Sequence, residues 1–536
     1  MKTFKPVLII TILLSLLAFS FPSTCGFAAT PPKKNVIFMI MDGTNSDIVT
    51  LSRWYKGSGL NLDKILTGGV RTYSIESAIT DSAAAGTAMA TGEKTRADYI
   101  GMNADGKPAL TVLEAAKLSG YSTGIVSTSP VQHATPAAFT AHVLNRNEFG
   151  DIGEQQVYQN LDVILGGGSA WLKPKSKNAV KNDDGMLKTK QISREDGENL
   201  VNKLKSDALY SFTATRDGLS KSRGADKLWG AFAEEDLAYD FDRKALSPDE
   251  PSLAEMTRTA IELLSANEKG FFLMVEGSKV DWAAHKNDPV GMVSEVLSFD
   301  KAVGEALEFA KLDGNTMVVA VTDHGNSGLT LGNRDTDKTY KNQPIETFIE
   351  PLKKAQYTVK GATSRLKDDR SNLKDVLESY GLSDLNRKEY CVMKEAKDVE
   401  DLENEMVKLL AKRANVGFST HGHTGEDVFL YGYGPDKPAG LIENTDLPRV
   451  FARYLEFSLD SFSDWYVDGK KFFKEKGYEV LIDKRNPKNP ELVVKRGSEE
   501  LRFPENKNFY VRNGEAVELK GVNVHSGGTF YVHWEE

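Results

Sequence analysis

Cysteine is almost missing from this chain: its 536 residues include only Cys25 and Cys391. Long apolar runs are equally scarce, and after the first thirty residues no stretch approaches the roughly 20 residues needed to cross a bilayer. There is no sustained basic tract either. With 67 Lys and Arg against 76 Asp and Glu, the formal charge is −9, which argues against a nucleic-acid groove. A composition of 40% hydrophobic and 27% charged residues, with 45 glycines and 19 prolines, excludes a disordered or collagen-like chain. An enzyme-sized globular body remains.

The N-terminus reads as a secretory leader. Lys2 and Lys5 precede an apolar run from Val7 to Phe21, followed by Pro22 and the small-residue segment Cys25-Gly26-Phe27-Ala28-Ala29, a pattern that places cleavage after Ala28. The alternative, lipidation of Cys25, lacks the leucine and small-residue pattern in front of that cysteine. Loss of residues 1–28 removes two lysines, taking the charge from −9 to −11, and leaves Cys391 alone. No intramolecular disulfide can then form, so persistence outside the cell must come from the core, bound metals or subunit contacts. We expect a secreted protein, periplasmic or extracellular, without a transmembrane anchor.

Three apolar segments without strict alternation, 35–41, 271–275 and 316–322, read as buried central strands; 122–127 is a further candidate. Helical patterns over 109–118, 252–265 and 291–312 lie between them. This alternation predicts an α/β fold, a central mostly parallel sheet sandwiched between helices. Two polar stretches, 173–228 and 332–419, look inserted, the second suited to a satellite over the site or a subunit contact. Beyond about residue 460 short strand-like pieces at 478–482 and 491–495 predict a small β-rich accessory region over 461–536. The expected organisation is therefore a leader, 1–28, a catalytic domain, 29–460, and that tail.

Open α/β sheets collect ligands beyond the carboxyl ends of their strands, and Asp42, Glu276 and Asp323 each end or follow a predicted strand. Asp281 and His285, four residues apart on a helix after the strand, share one face and can reach one ion. Asp323-His324-Gly325 can turn two ligands inward at a strand end. From His421-Gly422-His423 we expect one ligand, and spacing leaves the choice open. Asp281, His285 and one of those histidines make one open three-ligand site; Asp42, Asp323 and His324 make a second. Two ions about 4 Å apart clamp a phosphoryl group. Asp42 and Glu276 with the Thr135 hydroxyl suit a hard octahedral Mg²⁺. Asp81 can cap a helix beginning at Ser82, which places that hydroxyl among unpaired N–H groups that attract phosphate. Arg146 offers a planar fork for two phosphate oxygens or is a surface helix residue, and His142 is read as packing or bonding behind the site.

The ordered set Met41-Asp42-Gly43, Asp81-Ser82-Ala83-Ala84, His133-Ala134-Thr135-Pro136, Glu276 to His285, Asp323-His324-Gly325 and His423-Thr424-Gly425 closely resembles the alkaline phosphatase family, over roughly 35–330 and 415–457. The resemblance implies a secreted phosphomonoesterase with two zinc ions and one magnesium ion, a homodimer, and a phosphoserine formed at Ser82. It implies that Arg146 binds phosphate with Asp81 in support, and that the first zinc takes Asp281, His285 and His423. The second zinc would take Asp42, Asp323 and His324, and magnesium would take Asp42, Thr135 and Glu276. His133 and Trp282 stand where the enteric bacterial form has aspartate and lysine, closer to marine bacterial and animal members, and are expected near substrate. The stretch 332–419 corresponds to the family's variable crown or interface insertion, and the tail lies outside the resemblance. The rival readings are a phosphodiesterase or sulfatase on the same scaffold and, from another class, a secreted metal-stabilised binding protein.

Overall fold

The computed structural model describes residues 33–174, 194 and 196–534. The leader expected at 1–28, with its cleavage point and Cys25, lies outside the described residues.

A ten-stranded sheet organises the chain. Its strands are β1 (Lys34–Met41), β2 (Leu66–Arg71), β3 (Ser122–Pro130), β4 (Val163–Gly167) and β5 (Tyr210–Thr213), then β6 (Lys227–Ala231), β7 (Gly270–Gly277), β8 (Thr316–Val321), β9 (Val428–Tyr433) and β10 (Gly440–Glu443). The spatial order is β10-β2-β9-β8-β1-β7-β3-β4-β6-β5. Only β9 runs against its neighbours, antiparallel to both β8 and β2. The four strands expected from the sequence occupy adjacent central places, and the expected helices appear as Val112–Leu118, Leu253–Leu264 and Pro289–Asp313.

The unbroken apolarity of β1 follows from its cover on both faces. Ile37, Met39 and Met41 join one core with Met256, Val293 and Phe299, while Val36, Phe38 and Ile40 join the other with Val112, Phe139 and Phe451. Successive side chains point to opposite faces, and here both faces are dry, so alternation is lost. Register then aligns the chemistry: Ile40 pairs with Glu276 on one side and Val321 on the other. Asp42, Glu276 and Asp323 therefore emerge together at one end of three neighbouring strands.

The polar stretch 173–228 is not a simple insertion, because β5 and the start of β6 within it extend the main sheet at its edge. Strands of four and five residues with polar flanks are too short to stand out from a loop by pattern. The stretch 332–419 folds into helices including Glu346–Lys353, Leu373–Ser379, Arg387–Glu395 and Val399–Arg413. Phe348, Leu352, Val376, Leu402 and Leu410 from this stretch pack into the same core as β1. Asp288, which caps the Pro289–Asp313 helix, also accepts from the Tyr380 hydroxyl at 2.7 Å and from the Val359 N–H at 3.0 Å. Cys391 is exposed on the Arg387–Glu395 helix.

The tail builds a five-stranded antiparallel sheet between Glu479 and Glu518 and a smaller three-stranded one, around its own core of Phe473, Leu492, Phe503 and Phe530. It docks on the helix Phe149–Tyr158, where Lys507 Nζ lies 2.9 Å from Glu154 Oε1 and Asn506 Nδ2 donates to Asp151 Oδ1 at 3.1 Å. Burial, followed by Glu505, Glu148 and Glu154, pushes the Asp151 carboxyl up to about 7, with Arg194 opposing. A raised carboxyl favours folding below its unfolded pKa of about 3.9, and that contribution is lost as pH rises through about 7. Asp151→Asn keeps the acceptor for Asn506 and removes the ionisation. Its thermal midpoint should exceed that of the parent by about 1–3 °C at pH 8.5 and by less at pH 5; an equal or larger gain at pH 5 would contradict this origin.

Candidate active site

The site lies beyond the ends of β1, β7 and β8. Asp42 follows β1 directly, Glu276 lies one residue from the end of β7, and Asp323 and His324 follow β8. The short helix Lys279–His285 carries Asp281, Trp282 and His285. His423 arrives from far along the chain because His423–Thr424 pairs antiparallel with Gly325–Asn326. Gly43 sits at φ +64°, and a Cβ there would lie 2.7 Å from the Asp281 Cα. Only glycine gives both that backbone conformation and that approach.

Three imidazoles present the same nitrogen inward. His285 Nδ1 donates to the His421 carbonyl at 2.6 Å, His423 Nδ1 to the Thr80 carbonyl at 2.8 Å, and His324 Nδ1 to the Gly325 carbonyl at 3.1 Å. Each Nε2 is left as a lone pair. His285 Nε2 lies 3.2 Å from His423 Nε2 and 3.4 Å from Asp281 Oδ2, and His423 Nε2 lies 3.7 Å from Asp281 Oδ1. His324 Nε2 lies 3.2 Å from Asp323 Oδ2 and 3.5 Å from Asp42 Oδ1. Tetrahedral zinc ligands stand about 3.3 Å apart, and the Asp42, Asp323 and His324 donors come near that spacing; the donors of Asp281, His423 and His324 also lie within 4.8 Å of one another, with His285 Nε2 beside His423 and Asp281. The Asn326 amide donates to Asp281 Oδ1 at 2.6 Å and fixes that carboxylate. His421 turns its ring toward Asn287 and the His285 carbonyl instead, so of the two histidines only His423 joins the donors.

A third group forms beside them. Donor atoms of Asp42, His133 and Glu276 lie within 4.8 Å of one another, and Thr135 Oγ1 is 3.5 Å from Asp42 Oδ2. Ser127 Oγ donates to Glu276 Oε2 at 2.6 Å, and Ser129 and Ser278 hydroxyls surround Ser127 at 2.8 and 2.9 Å. The sequence reading missed this hydroxyl cluster and Asn326; it expected His133 near substrate, and the ring also adjoins Asp42 and Glu276. The cluster's signal was Ser127-Thr128-Ser129 at the end of a predicted strand.

Charge makes the same demand as geometry. Asp42, Glu276, Asp281 and Asp323 are all buried, and among the described residues no lysine or arginine pairs with them. Burial, then Asp323, Asp281 and Glu276, raises the Asp42 carboxyl well above its ordinary value. Burial likewise pushes Glu276 up to about 7, the serine hydroxyls pulling it back. Burial would also raise Asp281, but His285, His324 and His423 outweigh it and hold it low. Asp42 Oδ1, Asp323 Oδ2 and Glu276 Oε1 are buried without a hydrogen-bond donor among the described residues. Unpaired buried carboxylate oxygens facing imidazole lone pairs fit bound cations and are costly without them.

Ser82 faces this group, its Oγ donating to His324 Nε2 at 3.1 Å. It begins the helix Ser82–Thr91, capped by Asp81 through the Ala84 N–H at 3.0 Å. Asp81 Oδ2 also receives Arg146 Nη1 at 3.1 Å, and Arg146 Nη2 lies 3.4 Å from His133 Nε2. Burial, assisted by Arg146, pushes the His133 imidazole down to about 3, which keeps it neutral. Trp282 stands edge-on to His133, ring centroids 5.6 Å apart, and its buried indole N–H has no hydrogen-bond partner among the described residues. His142 lies behind, tied to Glu114 and the Gly101 carbonyl.

Known proteins resemble this chain in sequence and fold. A family profile described as "Alkaline phosphatase" matches residues 33–457. Alkaline phosphatase 4 of Bacillus subtilis is 36% identical over 444 residues, covering 79% of this chain and 89% of the relative. The repressible alkaline phosphatase of Saccharomyces cerevisiae is 32% identical over 521 residues, covering 87% and 89%. The crystal structure of Thermus thermophilus alkaline phosphatase superposes with a TM-score of 0.69 at 26% identity, covering 80% of this chain and 93% of that one. A serine-bearing helix end facing buried carboxylates and imidazoles thus sits in a sheet and a sequence similar to those of these enzymes, and the chain belongs to the metal-dependent alkaline phosphatase family as a phosphomonoesterase.

Proposed function

We propose that the protein hydrolyses phosphate monoesters to an alcohol and inorganic phosphate through a phosphoserine at Ser82, with two zinc ions and one magnesium ion. The observation that carries this reading is the set of inward Nε2 lone pairs and unpaired carboxylate oxygens around the Ser82 hydroxyl. Asp281, His285 and His423 would hold one zinc, Asp42, Asp323 and His324 the other, and Asp42, Thr135 and Glu276 the magnesium, with His133 adjoining the last. When bound, these cations would lower the cost of the Ser82 alkoxide, offset charge on the phosphoryl and leaving oxygens, and activate water.

Ser82 Oγ gives up its proton and attacks phosphorus, forming one P–O bond as the ester P–O bond breaks and the alcohol departs with a proton. The helix N-terminus under Ser82 favours the negative charge that develops there. Arg146, held at Asp81, is oriented to take two nonbridging oxygens through its fork. Water then enters from the vacated side, breaks the Oγ–P bond and returns the Ser82 hydroxyl with inorganic phosphate. His133 and Trp282 line the approach as neutral groups, the indole N–H free to donate to phosphate or to water.

Export through the leader, a homodimeric state, and division into a catalytic domain ending near 460 and an accessory tail belong to the same proposal. No helix among the described residues is long and apolar enough to cross a membrane. The deciding experiment compares turnover of an aryl phosphate monoester, the corresponding diester and an aryl sulfate, alongside metal analysis of the same sample. Fast monoester turnover with zinc and magnesium bound supports the reading; faster diester than monoester turnover would replace it with a phosphodiesterase.

A further inference from the structure

Two side chains from the tail reach the segment that carries Arg146. The Tyr466 hydroxyl lies 3.1 Å from Glu114 Oε1 and 3.0 Å from His142 Nε2, and its ring packs edge-on against the His142 imidazole with centroids 4.9 Å apart. Asn506 Oδ1 accepts from Gln155 Nε2 at 2.9 Å. Gln155 in turn grips the His142 backbone twice, accepting its N–H at 2.7 Å and donating to its carbonyl at 3.1 Å. His142 and Asn506 are both buried.

From His142 the restraint runs toward the phosphate-binding group. His142 Nδ1 donates to the Gly101 carbonyl at 2.7 Å, and Val143 exchanges both backbone hydrogen bonds with Ile100. The Ile100 segment is anchored at the site too, since the Asp98 N–H donates to Asp81 Oδ2, the same oxygen that receives Arg146. His142 precedes Arg146 by four residues, so a shift at His142 moves the base of the arginine relative to Ser82. Tyr466 and Asn506 both lie beyond the 33–457 family match. In this chain, material outside the shared domain closes the back of that segment.

We infer that Tyr466 and Asn506 are positioning residues for Arg146, with the tail acting as a brace that fixes His142 and so the guanidinium. This rests on the reading of Arg146 as the group that holds phosphate. The test uses the full-length, metal-loaded protein and Tyr466→Phe, which keeps the ring and loses only the hydroxyl, with Asn506→Ala as an independent second variant. Each should raise both the KM for an aryl phosphate and the inhibition constant of inorganic phosphate by about three- to tenfold, the size of one lost buried hydrogen bond, with kcat and metal content little changed. In an Arg146→Ala background the same substitutions should add nothing. Unchanged phosphate inhibition in both folded variants while Arg146→Ala weakens it overturns the brace and spares the arginine. Full additivity with Arg146→Ala also overturns the brace. No effect of Arg146→Ala removes the underlying reading and the inference with it.

Discussion

Ser82→Ala should lower kcat/KM for an aryl phosphate by about 10³-fold or more, with bound metal retained and no acid-stable phosphoserine after a quench. The hydroxyl sits at the first position of its helix and 3.1 Å from His324 Nε2, so its loss removes the atom proposed to form the covalent ester. Nothing in the donor sets requires it: His285, His423 and His324 are oriented by the His421, Thr80 and Gly325 carbonyls. Metal content is therefore the control that separates loss of the nucleophile from loss of the centre. Quenched phosphoserine at the parent yield in this variant would assign the nucleophile elsewhere.

Metal removal should cost more than activity. Exhaustive chelation is expected to abolish turnover, restored by zinc and magnesium together, and to lower the thermal midpoint by about 10 °C. The reason is electrostatic: Asp42, Glu276, Asp281 and Asp323 are packed out of water beside one another, and without cations their mutual repulsion has no counterweight among the described lysines and arginines. Differential scanning of holo and stripped samples checks this. Equal midpoints together with verified metal loss would mean that the carboxylates are stabilised in some other way, and full activity after verified loss would reject metal-dependent chemistry.

Much of this centre is legible in the sequence because β1, β7 and β8 are long uninterrupted apolar runs, each leading to an acid. Once three such strands are parallel neighbours, their terminal acids must share one rim, and the register places Glu276 opposite Ile40. The choice between His421 and His423 was not legible in the spacing, since both flank the same glycine, and only the family resemblance pointed to His423. It depends on which ring meets the Thr80 carbonyl, a contact between residues 343 positions apart. The hydroxyl cluster was hidden in the same way: Ser127 matters because it pairs directly with Glu276 across β3 and β7. The edge strand β5 and its neighbour β6 escaped notice because four or five residues give too few alternations to count. The tail's β texture was visible, yet the reach of Tyr466 and Asn506 to His142 has no local signature.

The ladder between Gly325–Asn326 and His423–Thr424, followed by the pairing of Thr330–Leu331 with Val416–Gly417, fastens both ends of the 332–419 stretch side by side next to the ligands. A loop closed at its base loses little when its length changes, because closure entropy grows only slowly with added residues. Evolution is thereby free to lengthen, shorten or recolour the exposed turns of that stretch without disturbing His324 or His423. Wholesale excision is a different matter, since Phe348, Leu352 and Leu410 would leave a hole in the shared core. The ornament can be recarved, but its root is structural.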